Sequence, residues 1–549
     1  MLTSKKTTMK KITISKYILA AALAFSISSC QDDLDLMPND PDTFTQFDVF
    51  ANPTEAKSAL AKVYASLALT GQKGPAGSGD IQGIDEGSSQ YTRLLFNLNV
   101  LTTDESIVGW GDPGLPDLHG ISWSASNSFV EAMYYRLAQT VSFSNSFIAN
   151  AKVLSETNED VKSYIGEARF IRAYAYYNLM DMYANVPLVT EVSSELPKQS
   201  NRQEIFTFVE TELKAIEADL KTGRTNEYGR VDKAAAQALL SRLYLNAETW
   251  IGQSKYTESI AYSKLAMEAG YSINTNDVNK NGSAYDELFL ADNNTNGAQN
   301  EAIFTLNFDG NNSRTYGGST FLVKAAIGGA MKASDYGVNG GWGGIRTTKA
   351  LVNQFNDAVS GKDKDGHPIT WNDKRAMFFT NGQTYDITNV GTFGEGYAVT
   401  KWSNKKSDNT NGIDTTGEYV DTDIPVIRLA EIYLNYAEAV LRGGTGGDRT
   451  TALNLINQLR TRAYGNTSGN ITDSQLNLDF ILAERSREMY WEGTRRTDLI
   501  RFKKYVSGYD WPFKGGVQNG TSVDVNKQLF PIPNNIIVIN KNLTQNPGY

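Results

Sequence analysis

Apolar residues that step by three and four along much of the chain, and then lose that rhythm between about 271 and 425, set the tightest limit on its fold. In "IGEARFIRAYAYYNLMDMY", Ile165, Ala168, Ile171, Ala175, Leu179 and Met182 share one helical face, and Pro187 closes the segment. The stepping returns at Val426, Leu429, Tyr433, Tyr436 and Val440, and again at Ala452, Leu455, Leu459 and Ala463. Further helices are predicted near 54–68, 129–153, 203–220, 232–247, 255–269 and 474–492. Paired helices of this length, joined by short turns and rich in Ala, Tyr and Leu, predict a mainly α fold with a TPR-like helical scaffold.

The interruption is rich in Gly, Asn, Asp and Thr and holds short strand-like pieces such as "AIFTLNF" and "GYAVTKW". It reads as a loop-rich, mixed α/β subdomain packed on the scaffold, and long irregular segments in compact proteins tend to be functional. A chain of 549 residues exceeds what one simple core usually supports. The expected divisions are a leader over 1–29, an N-terminal helical part over 30–270, the loop-rich region over 271–425 and C-terminal helices over 426–549.

The only cysteine, Cys30, follows a leader in which Lys10, Lys11 and Lys16 precede an apolar run from Tyr17 to Ile27. That is the pattern of a bacterial export signal, too short for a membrane span of about 20 residues. Ile27-Ser28-Ser29-Cys30 resembles a lipobox, which makes Cys30 the lipidated first residue of a mature, membrane-anchored protein. Gln31-Asp32-Asp33 resembles the acidic tag that sends lipoproteins to the outer face of the outer membrane. A plain secretory signal with an incidental cysteine is the alternative.

With 61 acidic against 52 basic residues, the chain lacks the positive footprint that nucleic acid binding requires. His119 and His367 are the only histidines and neither has a metal-ligand neighbour at helical spacing, which gives zinc and His-based nucleophilic chemistry little support. Aromatics stand out, with 28 Tyr, 23 Phe and 8 Trp, several of them in Gly-rich polar segments where burial is the weaker explanation.

"CQDDLDLMPND", "EARFIRAYAYYNLMDMYANVPLVTE", "IPVIRLAEIYLNYAEAVLRGG" and "ILAERSREMYWEGTRRTDLIRF" together resemble the SusD/RagB family of outer-membrane glycan-binding lipoproteins, over nearly the whole chain from Cys30. The resemblance implies four TPR-like helix pairs plus a loop-rich portion, no catalysis, and a place as the lid on a TonB-dependent transporter of the SusC type. "DIQGIDEGSSQYTRLLFNLNVLTTDESIVGW", "RTYGGSTFLVKAA", "NGGWGG" and "GGVQNGTSV" look especially like the starch-binding members. By that likeness an aromatic arc would consist of Trp110, Tyr316 and Trp342, with Arg93 bonding sugar hydroxyls. An asparagine expected three residues after the first tryptophan is Pro113 here, with Asp112 beside it, so another glucan such as laminarin stays open.

The chemistry suits such a ligand, because a glucose ring has a nearly apolar face and a rim of hydroxyls. Flat rings cover the faces, planar polar groups meet the rim, and one stacked sugar contributes about 1 kcal/mol, by analogy with aromatic pairs. Ten of the 38 residues from Asp309 to Arg346 are glycine, which is expected to leave Tyr316 and Trp342 clear of their neighbours. The bland alternatives are aromatics plugging gaps under a loop, and Arg93 in a salt-bridge network with Asp85, Glu86, Asp104 and Glu105. No cofactor is required, and calcium is the one candidate. "DNNTNG" and "DVNKNG" start like calcium loops but lack the Glu at the twelfth position. The family resemblance implies Asp292, Asn294 and Asn296 as ligands. A glycoside hydrolase and a helical-repeat adaptor that binds only protein remain the competing classes.

Overall fold

The computed structural model describes residues 49–75 and 79–549, so Cys30, the leader and the acidic tag lie outside the described residues. The fold is mainly α and supports a TPR-like scaffold. Its helices are α1 (Pro53–Ala68), α2 (Tyr91–Asn99), α3 (Ser128–Ser155), α4 (Glu159–Tyr183), α5 (Arg202–Ile216), α6 (Lys233–Leu245) and α7 (Tyr256–Met267). After the loop-rich region come α9 (Leu429–Leu441), α10 (Arg449–Tyr464), α11 (Leu478–Met489) and α12 (Arg495–Arg501), while α8 (Gly318–Lys324) lies inside it. Helices α3 and α4, α5 and α6, α6 and α7, and α9 and α10 pack on one another.

Asparagine and aspartate begin these helices repeatedly, because their side chains accept the N–H groups that the first turn leaves without partners. Asn52 caps α1, Asn127 α3, Asn158 α4, Asp232 α6, Asp448 α10 and Asn477 α11, and Asn201 with Glu204 makes a full capping box on α5. Helix α4 is enclosed on nearly all sides rather than along one stripe: Phe170 through Tyr183 are all buried. Its Tyr174 hydroxyl meets that of Tyr91 on α2 at 2.6 Å.

A continuous apolar core runs from Ala56 to Leu543, and a second cluster fills the space among α7, α9, α10 and α11. Strands β2 (Ala302–Leu306) and β4 (Ile424–Arg428) pair antiparallel, and so bring the two ends of the intervening loop-rich stretch together. Behind this pair lies an ion network with no solvent exposure. Arg428 binds Glu301 at 3.0 Å and Glu488 at 2.6 Å, Arg462 binds Glu301 at 2.7 Å, and Arg375 joins Asp373, Glu484 and Glu488 at 2.6, 2.8 and 3.0 Å. Such a network ties the loops to α10 and α11, since leaving one buried partner unpaired costs roughly 3–5 kcal/mol. Among the described residues no helix is long and apolar enough to cross a membrane.

Candidate functional site

Trp110 and Trp342, distant in sequence, meet because each flanks one short antiparallel pair. Strand β1 (Ile107–Val108) pairs with β3 (Ile345–Arg346), placing Val108 opposite Ile345, and the Gly109 N–H extends the ladder to the Gly344 carbonyl at 2.8 Å. The residue after β1's extension is therefore set beside the residues before β3. The stretch ahead of β3 is pinned to the end of α8, where the N–H groups of Trp342 and Gly344 donate to Lys324 and Ala325 carbonyls at 2.6 and 3.0 Å. Carbonyls left over at a helix end here fix the backbone that carries Trp342.

Tyr316 sits just before α8 and Arg93 lies in the first turn of α2. Gln90, fully buried, joins these elements. Its side-chain oxygen accepts the Arg93 N–H at 3.0 Å and the Gly318 N–H at 2.9 Å, and its amide nitrogen donates to the Leu67 and Ala68 carbonyls at the end of α1.

The result is a cleft of about 950 Å³ lined by Trp110, Tyr316, Trp342, Arg93 and Asp112 on one side, and by the segment 79–87 with Pro75 on another. All five residues singled out from the sequence come together there. The Trp110 and Trp342 rings are 6.5 Å apart at 50°, and those of Trp342 and Tyr316 6.3 Å apart at 57°, so each ring is tilted against the next. All three rings are half-buried, each with part of its surface open. The six other tryptophans (Trp123, Trp250, Trp371, Trp402, Trp491 and Trp511) are in the core.

Arg93 stacks over buried Phe321 at 4.8 Å, donates to the Gly87 carbonyl at 2.7 Å, and makes no ion pair within 4.0 Å among the described residues. Burial pushes its guanidinium down to about 10, against the pull of Asp85, Asp112 and Glu86, so it stays charged at neutral pH. The salt-bridge alternative for Arg93 gives Asp104 and Glu105 a role they do not have, for Asp104 binds Arg495 at 2.6 Å and Glu105 accepts the Trp491 N–H at 2.9 Å. The Asp112 carboxylate is exposed and accepts no hydrogen bond among the described residues. Phe321 beneath the cleft and Gln90 behind it had no signal in the sequence. Their roles come from what they touch.

The glycines act differently from the expectation of loose turning. A side chain at Gly344 would overlap the Trp110 indole, and one at Gly341 would overlap the Ile327 carbonyl; of the four glycines around Trp342 only Gly343 has a positive φ, +58°. They permit close packing, and that packing fixes the rings.

Asp292 and Asn296 meet the chain's own donors. Both Asp292 carboxylate oxygens accept the Ser407 N–H and its Oδ2 the Ser407 hydroxyl, Asn296 Oδ1 accepts the Ala298 N–H, and Asn294 is exposed. Donors surround the oxygens that a cation would need. The other Asx run is engaged in the same way, with Asn279 Oδ1 accepting the Asn281 N–H and Asn281 Oδ1 the Ser283 N–H, and differs in one buried carboxylate oxygen that has no partner. Asp277 accepts the Asn281 and Gly282 N–H groups, Gly282 supplies the turn at φ +85°, and the Asn279 and Asn281 amides converge on Asp286 Oδ2 at 2.9 and 2.5 Å. Asp286 Oδ1 is buried with no partner. Beside them burial and the neighbouring Asp286 and Asp292 hold Glu287 up at about 7. No three acidic, His or Cys side chains form a metal cage among the described residues, so a cation here would depend on amide oxygens as well.

Comparison with known proteins agrees with this architecture. A model described as the SusD family matches residues 300–549, and one described as "Starch-binding associating with outer membrane" matches residues 121–245. The chain is 35% identical to the starch-binding protein SusD of Bacteroides thetaiotaomicron, over 97% of this chain and 98% of that one. It is 24% identical to a SusD-like protein of Formosa agariphila over 79% and 83% of the two chains. In fold it is similar to a SusD homolog from Bacteroides thetaiotaomicron, with a TM-score of 0.69 at 20% identity, covering 91% and 97% of the chains. It is likewise similar to surface glycan-binding protein A from Bacteroides fluxus, with a TM-score of 0.66 at 21% identity, covering 91% and 100%. Helical scaffold, loop-rich portion and near end-to-end likeness to a SusD protein converge on one statement: the chain belongs to the SusD family.

Proposed function

We propose that the protein is a non-catalytic surface binder that captures starch-like α-glucan oligosaccharides on the row Trp110, Trp342 and Tyr316. It then delivers them to a TonB-dependent, SusC-like transporter in the outer membrane, to which acyl chains on Cys30 tether it. The observation that carries this reading is the row of three tilted, part-open rings on one wall of a cleft, with Arg93 and Asp112 at its side. Rings tilted one against the next match a chain that coils, and several weak stacking contacts then act together.

Charge supports a neutral sugar. Asp85, Glu86 and Asp112 outnumber Arg93 in the cleft, which disfavours uronate or sulfated polymers. Hydrolysis takes two working carboxylates. Here Asp85 and Glu86 each hold a structural hydrogen bond, to the Ser88 N–H and the Thr70 hydroxyl, and Asp112 accepts none among the described residues. The names of the starch-binding relative and of the matched outer-membrane model agree with the reading. We further assign a structural calcium ion to Asp277, Asn279, Asn281 and Asp286.

Native gels containing amylopectin, laminarin, dextran or levan test the ligand. Retardation by amylopectin, lost in Trp342→Ala with Tyr316→Ala, is the expected result; retardation only by another polymer changes the sugar, and retardation by none sinks the reading. Release of reducing ends from starch on prolonged incubation would make the protein an enzyme instead.

A further inference from the structure

The ring row does not stop at the rim of the cleft. Tyr419 lies outside the lining residues, yet its ring is 5.5 Å from that of Tyr316 at 44°, in line with the spacings and tilts of the first three rings. Among the described residues Tyr419 pairs with Tyr316 and with no other ring of the row, while Trp342 pairs with both Tyr316 and Trp110. The order is therefore Trp110, Trp342, Tyr316, Tyr419. Arg314 lies over the Tyr419 ring at 5.7 Å; it is exposed and has no ion pair among the described residues. At the opposite end Arg93 lies over Phe321, which is 6.4 Å from Trp110. Each end of the row thus carries a guanidinium laid on an aromatic ring.

Tyr419 is held firmly. The Asp414 carboxylate accepts the N–H groups of Glu418 and Tyr419 at 3.0 and 2.9 Å, the Val420 N–H donates to Thr320 on α8 at 3.1 Å, and Glu418 binds Lys324 at 2.8 Å. The fourth ring is therefore fixed to the same short helix that fixes Trp342, which removes ordering cost from a ligand laid across both.

We propose that Tyr419 and Arg314 form a further sugar-binding subsite beyond the cleft, stacking one more pyranose face and bonding its hydroxyl rim. Only a glucan chain long enough to run past Tyr316 reaches it. The subsite selects for length, and it rests on the α-glucan reading of the cleft.

Calorimetry with maltotriose and maltoheptaose on the full-length protein tests it. Tyr419→Ala and Arg314→Ala are each expected to weaken maltoheptaose about three- to tenfold and leave maltotriose within about twofold, whereas Trp110→Ala weakens both. An equal loss for both sugars in Tyr419→Ala means that the ring only braces Tyr316 and overturns the subsite, as does an unchanged preference for the longer sugar in Arg314→Ala. The Arg314 change is at an exposed residue and carries the test if Tyr419→Ala does not fold. Wild-type protein that binds neither sugar overturns the glucan reading, and the subsite with it.

Discussion

The indole Nε1 of Trp110 donates to the carbonyl oxygen of Trp342 at 3.3 Å, so one ring of the row is bonded to the backbone that presents the next. This contact exists because Gly344 has no side chain. Gly344→Ala is expected to push the indole out of line, at an overpacking cost of about 1–3 kcal/mol. Retardation in amylopectin gels should fall about tenfold or more, while far-ultraviolet circular dichroism stays unchanged. Full retention with normal stability would mean that the indole has room to move aside.

Gln90 touches no face of the cleft and still decides its shape. In Gln90→Ala the buried Arg93 and Gly318 N–H groups lose their acceptor, each at a cost of about 1–3 kcal/mol. Expected results are a lower thermal midpoint and weaker sugar binding together. Weaker stability with wild-type affinity at low temperature would show that α2 and α8 hold Arg93 and Tyr316 without it.

Glu105 gives a pH dependence. Burial holds its carboxyl up at about 8 against an ordinary 4.5, with Arg495 opposing and Asp104 reinforcing the shift. The protonated form is favoured in the folded chain, so its contribution to stability is full below about pH 4.5 and is lost as pH rises toward 8. Glu105→Gln keeps an oxygen for the Trp491 N–H and cannot ionise. Urea unfolding across this range should fall less steeply with pH in the variant than in wild type, and parallel curves would assign the slope to other groups.

Calcium at Asp277, Asn279, Asn281 and Asp286 should raise the thermal midpoint of chelator-treated protein, and Asp286→Asn should abolish the rise. The same rise in Asp286→Asn, or its loss in Asp292→Asn alone, would place the ion elsewhere.

The scaffold was legible in the sequence because a helix buried on one face must repeat every three to four residues. The predicted 54–68, 129–153 and 255–269 segments became Pro53–Ala68, Ser128–Ser155 and Tyr256–Met267. Helices α2 and α8 were not foreseen. Both are short, and nearly every residue of each is buried, so neither carries the contrast between faces that periodicity needs. Trp110, Tyr316 and Trp342 could be singled out by their setting and by family likeness, yet Tyr419 could not. Nothing around "GEYVD" distinguishes it from any other half-buried tyrosine until Tyr316 is seen beside it. The calcium candidate moved from Asp292 to Asp286 for a related reason. The two runs read alike as strings, and only the buried, unpartnered Asp286 Oδ1 beside the second separates them.

The pairing of Ala302–Leu306 with Ile424–Arg428 makes the stretch between them leave the helices and return at a single doorway. Tyr316, Trp342, Arg314 and Tyr419 all belong to that excursion, whereas Trp110 and Arg93 stay with the helices. A transplant of 307–423 from a relative would therefore exchange most of the ring-bearing wall of the cleft through two backbone joints, provided that the donor keeps the Arg375 pairs to Glu484 and Glu488 and the register of β3 against β1.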